Sequence, residues 1–326
     1  MCDTFCVLDR VFLVWNLLSV PIYVFILVTL IRRRRHMKSA FFDLCISLGC
    51  ADIYYTFHKY AFTIVPRWFF KQYFLASDWL GIFTKSTNWA IYYVQITGVL
   101  LIALNRYSAL SKPVHYKARW NSSRIKKAIL LQWLVGLLWI PVMVVPGYPC
   151  HYTEDFGEPE YDDPEIDNAY WRLTVIIECV IYAPSLVALY AGSVINFVTH
   201  KHSVGSESSQ NASQQQQQTR KTEIRLAVIG LITSGMYLSL VFCWICFLVG
   251  YTPRAITLGW YYLSDLFVLS NPYLLLSFSS QIRTETKAMV MGTQAPTGMI
   301  NPARRNTQPR RNTHPRAGSL AWPREA

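Results

Sequence analysis

The chain has 326 residues, of which 52% are hydrophobic, 15% are aromatic and only 15% are charged. Soluble globular domains carry about 25% charged residues, so this composition excludes an ordinary soluble protein and indicates the lipid bilayer as the solvent. The formal net charge of +12 would suit a nucleic-acid partner. The basic residues nevertheless cluster in connecting segments, as membrane topology requires, and we expect no nucleic-acid partner.

Long uncharged segments predict an all-α fold, a bundle of seven transmembrane helices. Segments 11–31, 86–104, 128–149 and 226–252 each reach or exceed the roughly 18 to 20 residues that cross hydrocarbon as a helix. Two further segments are interrupted only by Glu178 and by Asp265, single acids that a bundle interior can hold. The segment from residue 40 is the weakest, because it also carries charged residues, among them Lys59, whose side chain we expect to extend to the membrane interface. The predicted spans are 11–31, 40–64, 86–106, 127–147, 173–199, 225–250 and 255–278.

The distribution of basic residues predicts the orientation. Segments 32–38, 106–127, 201–225 and 283–324 hold 24 of the 31 Lys and Arg residues, and such segments face the cytosol. The amino terminus should therefore lie outside and the carboxyl terminus inside. The Ser- and Gln-rich loop 200–222 and the basic tail 292–326 lack apolar periodicity and are predicted to be disordered. Residues 279–290 predict a short interfacial helix.

A motif at the cytosolic end of the third span links the chain to a known family. Residues 105–116 read NRYSALSKPVHY, which resembles the DRYxxxxxPxxY signature of rhodopsin-like receptors. The resemblance implies that Arg106, flanked by Asn105 and Tyr107, meets a cytosolic partner, and that Pro113 and Tyr116 shape the second cytosolic loop. An isolated Arg at this boundary would be explained by the positive-inside rule alone.

Other landmarks of rhodopsin-like receptors fall in their expected spans. The segment 48–52 resembles LxxAD, and Asn271 with Pro272 resembles the start of NPxxY. Asp52 lies roughly 18 Å into its helix, where a carboxylate needs a partner or a cation, and Asn271 is the natural candidate. Pro272 removes a backbone donor, so these three residues form a predicted interior switch, although a merely structural kink is an equal alternative. Trp133 resembles the tryptophan of the fourth helix and Pro184 the proline of the fifth helix in these receptors. The segment 243–246 is similar to the CWxP motif of the sixth helix.

Departures from the rhodopsin-like pattern indicate a more particular family. Asn105 replaces the usual acid, Leu275 stands at the Tyr of NPxxY, and no Cys lies near Gly81 to bind the acidic loop 150–167. With the segment 264–279, these features resemble the nematode serpentine chemoreceptors of the gamma class, Srg, or the related Srv class. The resemblance covers about residues 10 to 290. It implies a plasma-membrane receptor, with sensory cilia as one location, that couples an extracellular small molecule or peptide to a cytosolic heterotrimeric G protein.

A rhodopsin-like bundle would place a ligand pocket between the third, fifth, sixth and seventh helices. Its tyrosines would suit a small amphipathic molecule, and its acids could attract a cation. Asp265 is the stronger candidate of the two acids, because it must either contact the ligand or pair within the bundle. Aromatic belts at the membrane interface are the alternative explanation for the tyrosines. The predicted lining residues are Asn88, Trp89, Tyr92, Glu178, Trp244, Tyr261, Tyr262 and Asp265.

Other functions and sites were weighed against this one. A transporter or channel would need inverted repeats or several buried charges along one path, and it remains the alternative. An enzyme is not expected, because no P-loop, HExxH or GxSxG motif occurs. No cofactor or metal is expected, and retinal is excluded because no Lys lies between Arg254 and Arg283. In the oxidising extracellular space Cys150 could pair with Cys2 or with Cys6, and the sequence cannot choose.

Overall fold

A computed structural model describes residues 3–34, 39–111, 113–152, 159–203, 210–250 and 254–292. These residues form a helical bundle with one small antiparallel sheet. The helices are α1 (Asp3–Arg32), α2 (Ala40–Lys59), α3 (Val65–Phe69), α4 (Lys71–Leu75), α5 (Asp78–Ser111), α6 (Pro113–Arg119), α7 (Ser122–Leu137), α8 (Trp139–Val144), α9 (Pro164–Ile177), α10 (Ala183–Ser203), α11 (Gln210–Leu248), α12 (Arg254–Phe278) and α13 (Ser280–Val290). The strands are β1 (Cys150–His151) and β2 (Glu160–Tyr161).

Within the described part of the chain, six helical segments are long and apolar enough to cross a bilayer. They are Arg10–Arg32, Ala40–Ile64, Asp78–Ser111, Ser122–Val144, Pro164–Asn196 and Ile224–Leu248. The seventh predicted span corresponds to α12, a helix of 25 residues with Pro272 inside it. Every span expected from the sequence therefore has a helix at its position.

Helix α5 is the centre of the bundle. It packs against α2, α7, α10 and α11, and Ile96, Val99 and Ala103 along it are at most 2% exposed. Helix α1 packs on α2 and α12 at the periphery, and its outward face carries Leu17 and Leu18, which are more than 60% exposed. Apolar residues with this exposure are suited to contact lipid.

Three prolines explain where the spanning helices depart from α geometry. A proline cannot donate to the carbonyl four residues before it. Pro66 follows the π turn Tyr60–Ile64, Pro184 follows the π turn Glu178–Tyr182, and Pro141 follows the break between α7 and α8. The carbonyl that Pro66 leaves free, that of Phe62, accepts a hydrogen bond of 2.7 Å from the Tyr152 hydroxyl. The connecting segment thereby stabilises an irregularity in the bundle.

Several helices begin earlier than the sequence analysis placed them. The fifth spanning segment begins at Pro164 rather than about 173, because the Asp163 side chain caps the helix by accepting a hydrogen bond from the Glu165 amide. Helix α5 begins at Asp78 rather than about 86. Helix α11 begins at Gln210, inside the predicted disordered loop, and the Gln-rich start of α11 has good helix propensity and no Gly or Pro. Residues 204–209 and the tail from 293 lie outside the described residues.

The final helix, α13, lies where a short helix was expected. The Ser279 hydroxyl caps it by accepting from the Ile282 amide. Its Glu285 approaches Arg33 at 3.7 Å, and Met289 Sδ accepts a hydrogen bond from Thr29. The Arg283 guanidinium donates to the carbonyls of Leu276 and Ser277 at the end of α12. Helix α13 is therefore fixed to the bases of α1 and α12.

The two-stranded sheet, which the sequence did not predict, covers the opposite end of the bundle, called here the sheet end. Cys150 pairs with Tyr161 and His151 with Glu160. The sheet is held by Lys85 of α5, which donates to the Pro159 carbonyl at 2.9 Å, forms an ion pair with Asp167 and lies 4.7 Å from the centre of the Tyr161 ring. A single buried cation thus joins α5, the sheet and α9.

Gly81 allows β1 to lie directly on α5. A β-carbon at this position would collide with the carbonyl of Cys150 and lie 3.0 Å from the α-carbon of His151. Because these are backbone atoms, no rotamer change can relieve the contact. We expect Gly81→Ala to lower the free energy of unfolding by about 1–3 kcal/mol, measured by thermal denaturation in detergent.

The matched control is Gly259→Ala, since a β-carbon at Gly259 in α12 meets no atom within 4 Å. A helical Gly to Ala change in open space should be stabilising by roughly 0.5–1 kcal/mol. If both variants gained stability, β1 would not be packed on Gly81.

Candidate functional site

An aromatic cavity lies between α2, α5, α11 and α12, toward the sheet end. Its enclosed space is about 40 Å³, enough for a few water molecules, so a larger ligand requires the side chains that line it to move apart. The lining is mainly aromatic with a few polar groups. It consists of Tyr55, Asn88, Trp89, Tyr92, Leu240, Trp244, Trp260 and Ser264.

Four tryptophans from four helices meet beside this cavity and are called here the indole cluster: Trp89 of α5, Trp171 of α9, Trp244 of α11 and Trp260 of α12. The centre of the Trp244 ring lies 4.2 Å from that of Trp171, 5.7 Å from that of Trp89 and 5.6 Å from that of Trp260. The Trp171 indole nitrogen donates to Asp167 at 3.0 Å, the acid that pairs with Lys85. The indole cluster is therefore connected to the sheet.

Of the eight residues expected to contact a ligand, Asn88, Trp89, Tyr92 and Trp244 line the cavity. Tyr262 does not, because its ring stacks on Phe12 of α1 with the ring centres 4.4 Å apart. The side chain of Tyr261 lies outside the described part of the chain. The sequence analysis also expected the fifth spanning helix to line the pocket, whereas α2 supplies that wall through Tyr55.

The two acids predicted near the ligand have different environments. Asp265 accepts a hydrogen bond of 2.7 Å from Lys59 of α2, and both side chains are less than 10% exposed. Asp265 is therefore neutralised within the bundle. Glu178 is fully buried at the start of the π turn, and neither of its oxygens accepts a hydrogen bond from any residue that the structure describes.

Glu178 is close to the cavity without lining it. The hydroxyls of Tyr92 and Tyr93 lie near its carboxylate, but no hydrogen bond of normal geometry joins them. Tyr92 also lines the cavity, so this one side chain is adjacent to both the cavity and the acid.

Sequence reasoning missed Lys59, Tyr55, Trp260 and Ser264. Lys59 was placed at the membrane interface, where its side chain was expected to extend toward water, but it is 9% exposed. The signal that could have identified it is simple. A second-helix Lys and a seventh-helix acid at the same depth offer each other the only inexpensive way of burying both charges.

The predicted interior switch forms one hydrogen-bonded group around Asp52, which is completely buried. The carboxylate accepts hydrogen bonds from Asn271 Nδ2 at 2.9 Å, Gln95 Nε2 at 2.8 Å and the Tyr23 hydroxyl at 2.5 Å. Asn271 is the partner that the sequence analysis named, whereas Tyr23 and Gln95 were not foreseen. The group joins α1, α2, α5 and α12 at one buried point, and Pro272 follows Asn271 in α12.

The residues of the NRY motif cluster at the end of α5 opposite the sheet. Arg106 is 1% exposed, donates to the Asn105 side chain at 2.5 and 3.2 Å, and lies over the Phe41 ring of α2 at 4.4 Å. Asn105 also exchanges hydrogen bonds with the Tyr116 hydroxyl of α6. The Tyr107 ring packs on Gly192 of α10. Pro113 begins α6, and its side chain lies outside the described residues.

A second cavity lies between the Asp52 group and Arg106. Its enclosed space is about 30 Å³, enough for water, and Tyr23, Asn271 and Phe41 are among its lining residues. Close-packed interiors contain few voids of this kind, and this one lies between the two polar groups.

Cys150 is buried and forms no disulfide with another cysteine that the structure describes. Burial raises the pKa of its thiol to about 11. Of its predicted disulfide partners, Cys2 and the side chain of Cys6 lie outside the described residues. Rhodopsin-like receptors would have a cysteine near Gly81 that joins the third helix to the acidic loop. In this chain the backbone of β1 packs directly on Gly81 instead.

The geometry defines a class of protein: a multi-span helical receptor with an aromatic cavity at one end and an occluded arginine motif at the other. Comparison with known proteins agrees, since residues 12–291 match the family model described as Serpentine type 7TM GPCR chemoreceptor Srv. The chain belongs to the Srv family of serpentine chemoreceptors, which resolves the choice between Srg and Srv. Members are non-enzymatic membrane receptors, as expected.

Similar individual proteins support the same class. Serpentine receptor class V-1 of Caenorhabditis elegans is 23% identical over 281 residues, which cover 82% of this chain and 85% of that protein. Melanopsin of Branchiostoma belcheri is 29% identical over 161 residues, 45% of this chain and 22% of that protein. The histamine H1 receptor of Bos taurus is 26% identical over 138 residues, 40% of this chain and 27% of that protein.

Proposed function

We propose that this receptor binds an extracellular small molecule in the aromatic cavity and transmits that binding to a cytosolic heterotrimeric G protein at the Arg106 end. The proposal places the amino terminus and the sheet end outside, in accordance with the 24 basic residues of the opposite segments. The receptor would act at the plasma membrane, including that of sensory cilia. A peptide ligand is the alternative to a small molecule.

The observation that carries the proposal is the position of two sites on one helix. Asn88 and Trp89 line the cavity and Arg106 ends the same helix, α5, about 27 Å away at 1.5 Å per residue. Between them Gln95 joins α5 to the Asp52 group. A ligand that favours one arrangement of α11 and α12 around the cavity therefore biases the same helices that surround Asp52 and the second cavity.

The state of Arg106 indicates what activation must change. Its guanidinium is bound to Asn105, stacked on Phe41 and 1% exposed. A G protein can contact this side chain only after the Arg106 end opens. The cavity lies at the opposite end of the bundle, so ligand binding and coupling occur at separate sites that one two-state equilibrium links.

The test compares Arg106→Ala with wild-type receptor in cells that report G-protein dissociation and membrane current. The cells are exposed to a panel of volatile amines, alcohols and carboxylic acids. We expect a panel member to activate the wild type, and we expect the Arg106→Ala response to fall at least tenfold at equal surface level. Arg106 is the residue that would be inserted toward the G protein, whereas ligand contacts are unchanged.

The matched control is Arg124→Ala, because Arg124 is exposed near the start of α7 and contributes charge at the same end without being part of the NRY motif. It should signal within about twofold of wild type, as for a solvated surface charge. A current that persists in Arg106→Ala, without G-protein dissociation, would replace the receptor function with that of a channel or transporter.

A further inference from the structure

We infer that the aromatic cavity takes an organic cation, an alkyl- or arylammonium, and that Glu178 supplies its countercharge. This inference deepens the proposed function, because it names the ligand class for the same cavity. It rests on three independent features of the described residues: an unneutralised buried acid, the indole cluster and the charge of the sheet end.

Glu178 is the acid beside the cavity that has no countercharge among the described residues. Asp265 is already paired with Lys59 at 2.7 Å, so its charge is balanced within the bundle. Both oxygens of Glu178 lack a hydrogen-bond partner in the described part of the chain, and the side chain is fully buried. An isolated carboxylate in such a place is costly unless a cation or donor reaches it.

Polar groups around Glu178 are also left without partners in the described residues. They are the hydroxyls of Tyr92, Tyr93 and Thr174 and the indole nitrogen of Trp244. The Glu178 carboxylate and the hydroxyl oxygens accept hydrogen bonds, and an ammonium group donates up to three while adding the missing positive charge. The Trp244 indole nitrogen only donates, so it cannot accept from such a ligand. Because an anion would add to the charge of Glu178 and a hydrocarbon would leave it unpaired, the occupant that suits the carboxylate is a cationic donor.

The indole cluster provides the second interaction that a cation requires. Trp89, Trp244 and Trp260 line the cavity, and tryptophan has the most favourable ring face for a cation among the aromatic side chains. A ligand with an ammonium head and an apolar body would place the head near Glu178 and the body among these rings. Rotation of the Tyr92 side chain, which faces both, would connect the two regions.

The sheet end attracts cations toward the cavity. The segment 150–167 carries eight acids, and no Lys or Arg lies between Lys127 and Arg172. Of its acids, Asp167 is paired with Lys85, while Glu160, Asp163 and Glu165 are exposed. A surface with a surplus of one sign concentrates ions of the opposite sign near a cleft, so a cationic ligand approaches this acidic segment more readily than an anionic one.

The experiment uses the purified full-length receptor and follows its tryptophan fluorescence during titration with small probes. Phenethylamine and tetramethylammonium are the cationic probes, and phenethyl alcohol is the neutral probe of matched shape. We expect saturable binding of both cations, with phenethyl alcohol at least tenfold weaker than phenethylamine. Glu178→Gln should weaken the binding of phenethylamine at least tenfold and leave the affinity for phenethyl alcohol within twofold of wild type.

Two further variants make the result specific. Glu165→Gln makes the same chemical change at an exposed position of the sheet end, and both phenethyl probes should bind it within twofold of wild type. Trp260→Leu removes one ring face and should weaken the binding of both cations at least fivefold. This variant tests the inference even if Glu178→Gln does not fold. Since an unpaired buried charge is removed, we expect Glu178→Gln to denature at a higher temperature than wild type without ligand.

Three results would overturn the inference: equal affinity for phenethylamine and phenethyl alcohol, unchanged phenethylamine affinity in Glu178→Gln, or no saturable binding of either cation. The readout involves no G protein. Cation binding without any G-protein response would therefore contradict the proposed function and leave the ligand class standing. A G-protein response to neutral or acidic odorants alone would support the proposed function and contradict the ligand class.

Discussion

Lys59→Met is expected to lower the free energy of unfolding by about 3–5 kcal/mol, because it leaves the carboxylate of Asp265 buried without a countercharge. The two side chains are 9% and 5% exposed, and they join α2 to α12 at a distance of 2.7 Å. Water cannot replace the lost ammonium at such a site. Denaturation of the purified receptor in detergent, followed by fluorescence or thermal unfolding, measures the loss.

The double variant Lys59→Met with Asp265→Leu separates an ion pair from simple packing. Removing both charges together should restore stability to within about 1 kcal/mol of wild type, since replacing a buried pair by apolar residues is often neutral or stabilising. Lys71→Met, at an exposed position in α4, is the matched control and should change stability by less than about 0.5 kcal/mol. A double variant no more stable than Lys59→Met would contradict the pairing.

Asp52→Ala is expected to lower the free energy of unfolding by roughly 3–6 kcal/mol. The substitution leaves three buried donors, the Tyr23 hydroxyl and the amides of Gln95 and Asn271, without their common acceptor. Each buried donor that loses its partner costs about 1–3 kcal/mol. Because these donors come from α1, α5 and α12, the same variant should also weaken signalling by loosening the contacts between the cavity and the Arg106 end.

The control for this variant is Asp43→Ala in the same helix. Asp43 forms an ion pair with Arg34 at 2.6 Å, but Arg34 is 57% exposed, so the pair is worth at most about 1 kcal/mol. Asp52→Asn should lie between wild type and Asp52→Ala, because its amide oxygen can accept two hydrogen bonds and not three. Equal stability of the Asp43 and Asp52 variants would mean that the donors find other partners.

Helix positions were predictable because each span has to cover the hydrocarbon thickness with apolar residues, and only long uncharged segments meet that condition. The errors occurred at helix ends. Asp163 followed by Pro164 was a readable start signal that was not used. The Gln-rich start of α11 was predicted as disordered from composition, although glutamine favours helix when an adjoining helix supplies the nucleus.

The candidate site was predicted in part for a related reason. Trp89, Tyr92 and Trp244 were expected in the pocket from their positions on the third and sixth spans, and they do line one cavity. Tyr262 was placed there too but faces Phe12. A transmembrane helix is apolar both toward lipid and toward the core, so its sequence gives little information on which side faces inward. A rotation of one residue, about 100°, is enough to move a side chain from a cavity to a neighbouring helix.

From the sequence alone we predicted seven helical spans, placed Arg106 at one end of the third and named Asn271 as the candidate partner of Asp52. The spans depend on length and charge along one chain, and the receptor class depends on the resemblance of its motifs to a known family. The tertiary structure decided that Lys59 neutralises Asp265, that Tyr23 and Gln95 complete the Asp52 group, that β1 lies on Gly81, and that Glu178 is left without a partner. Each of these contacts joins different helices or loops, so it depends on the rotation and depth that all seven spans adopt when they pack together.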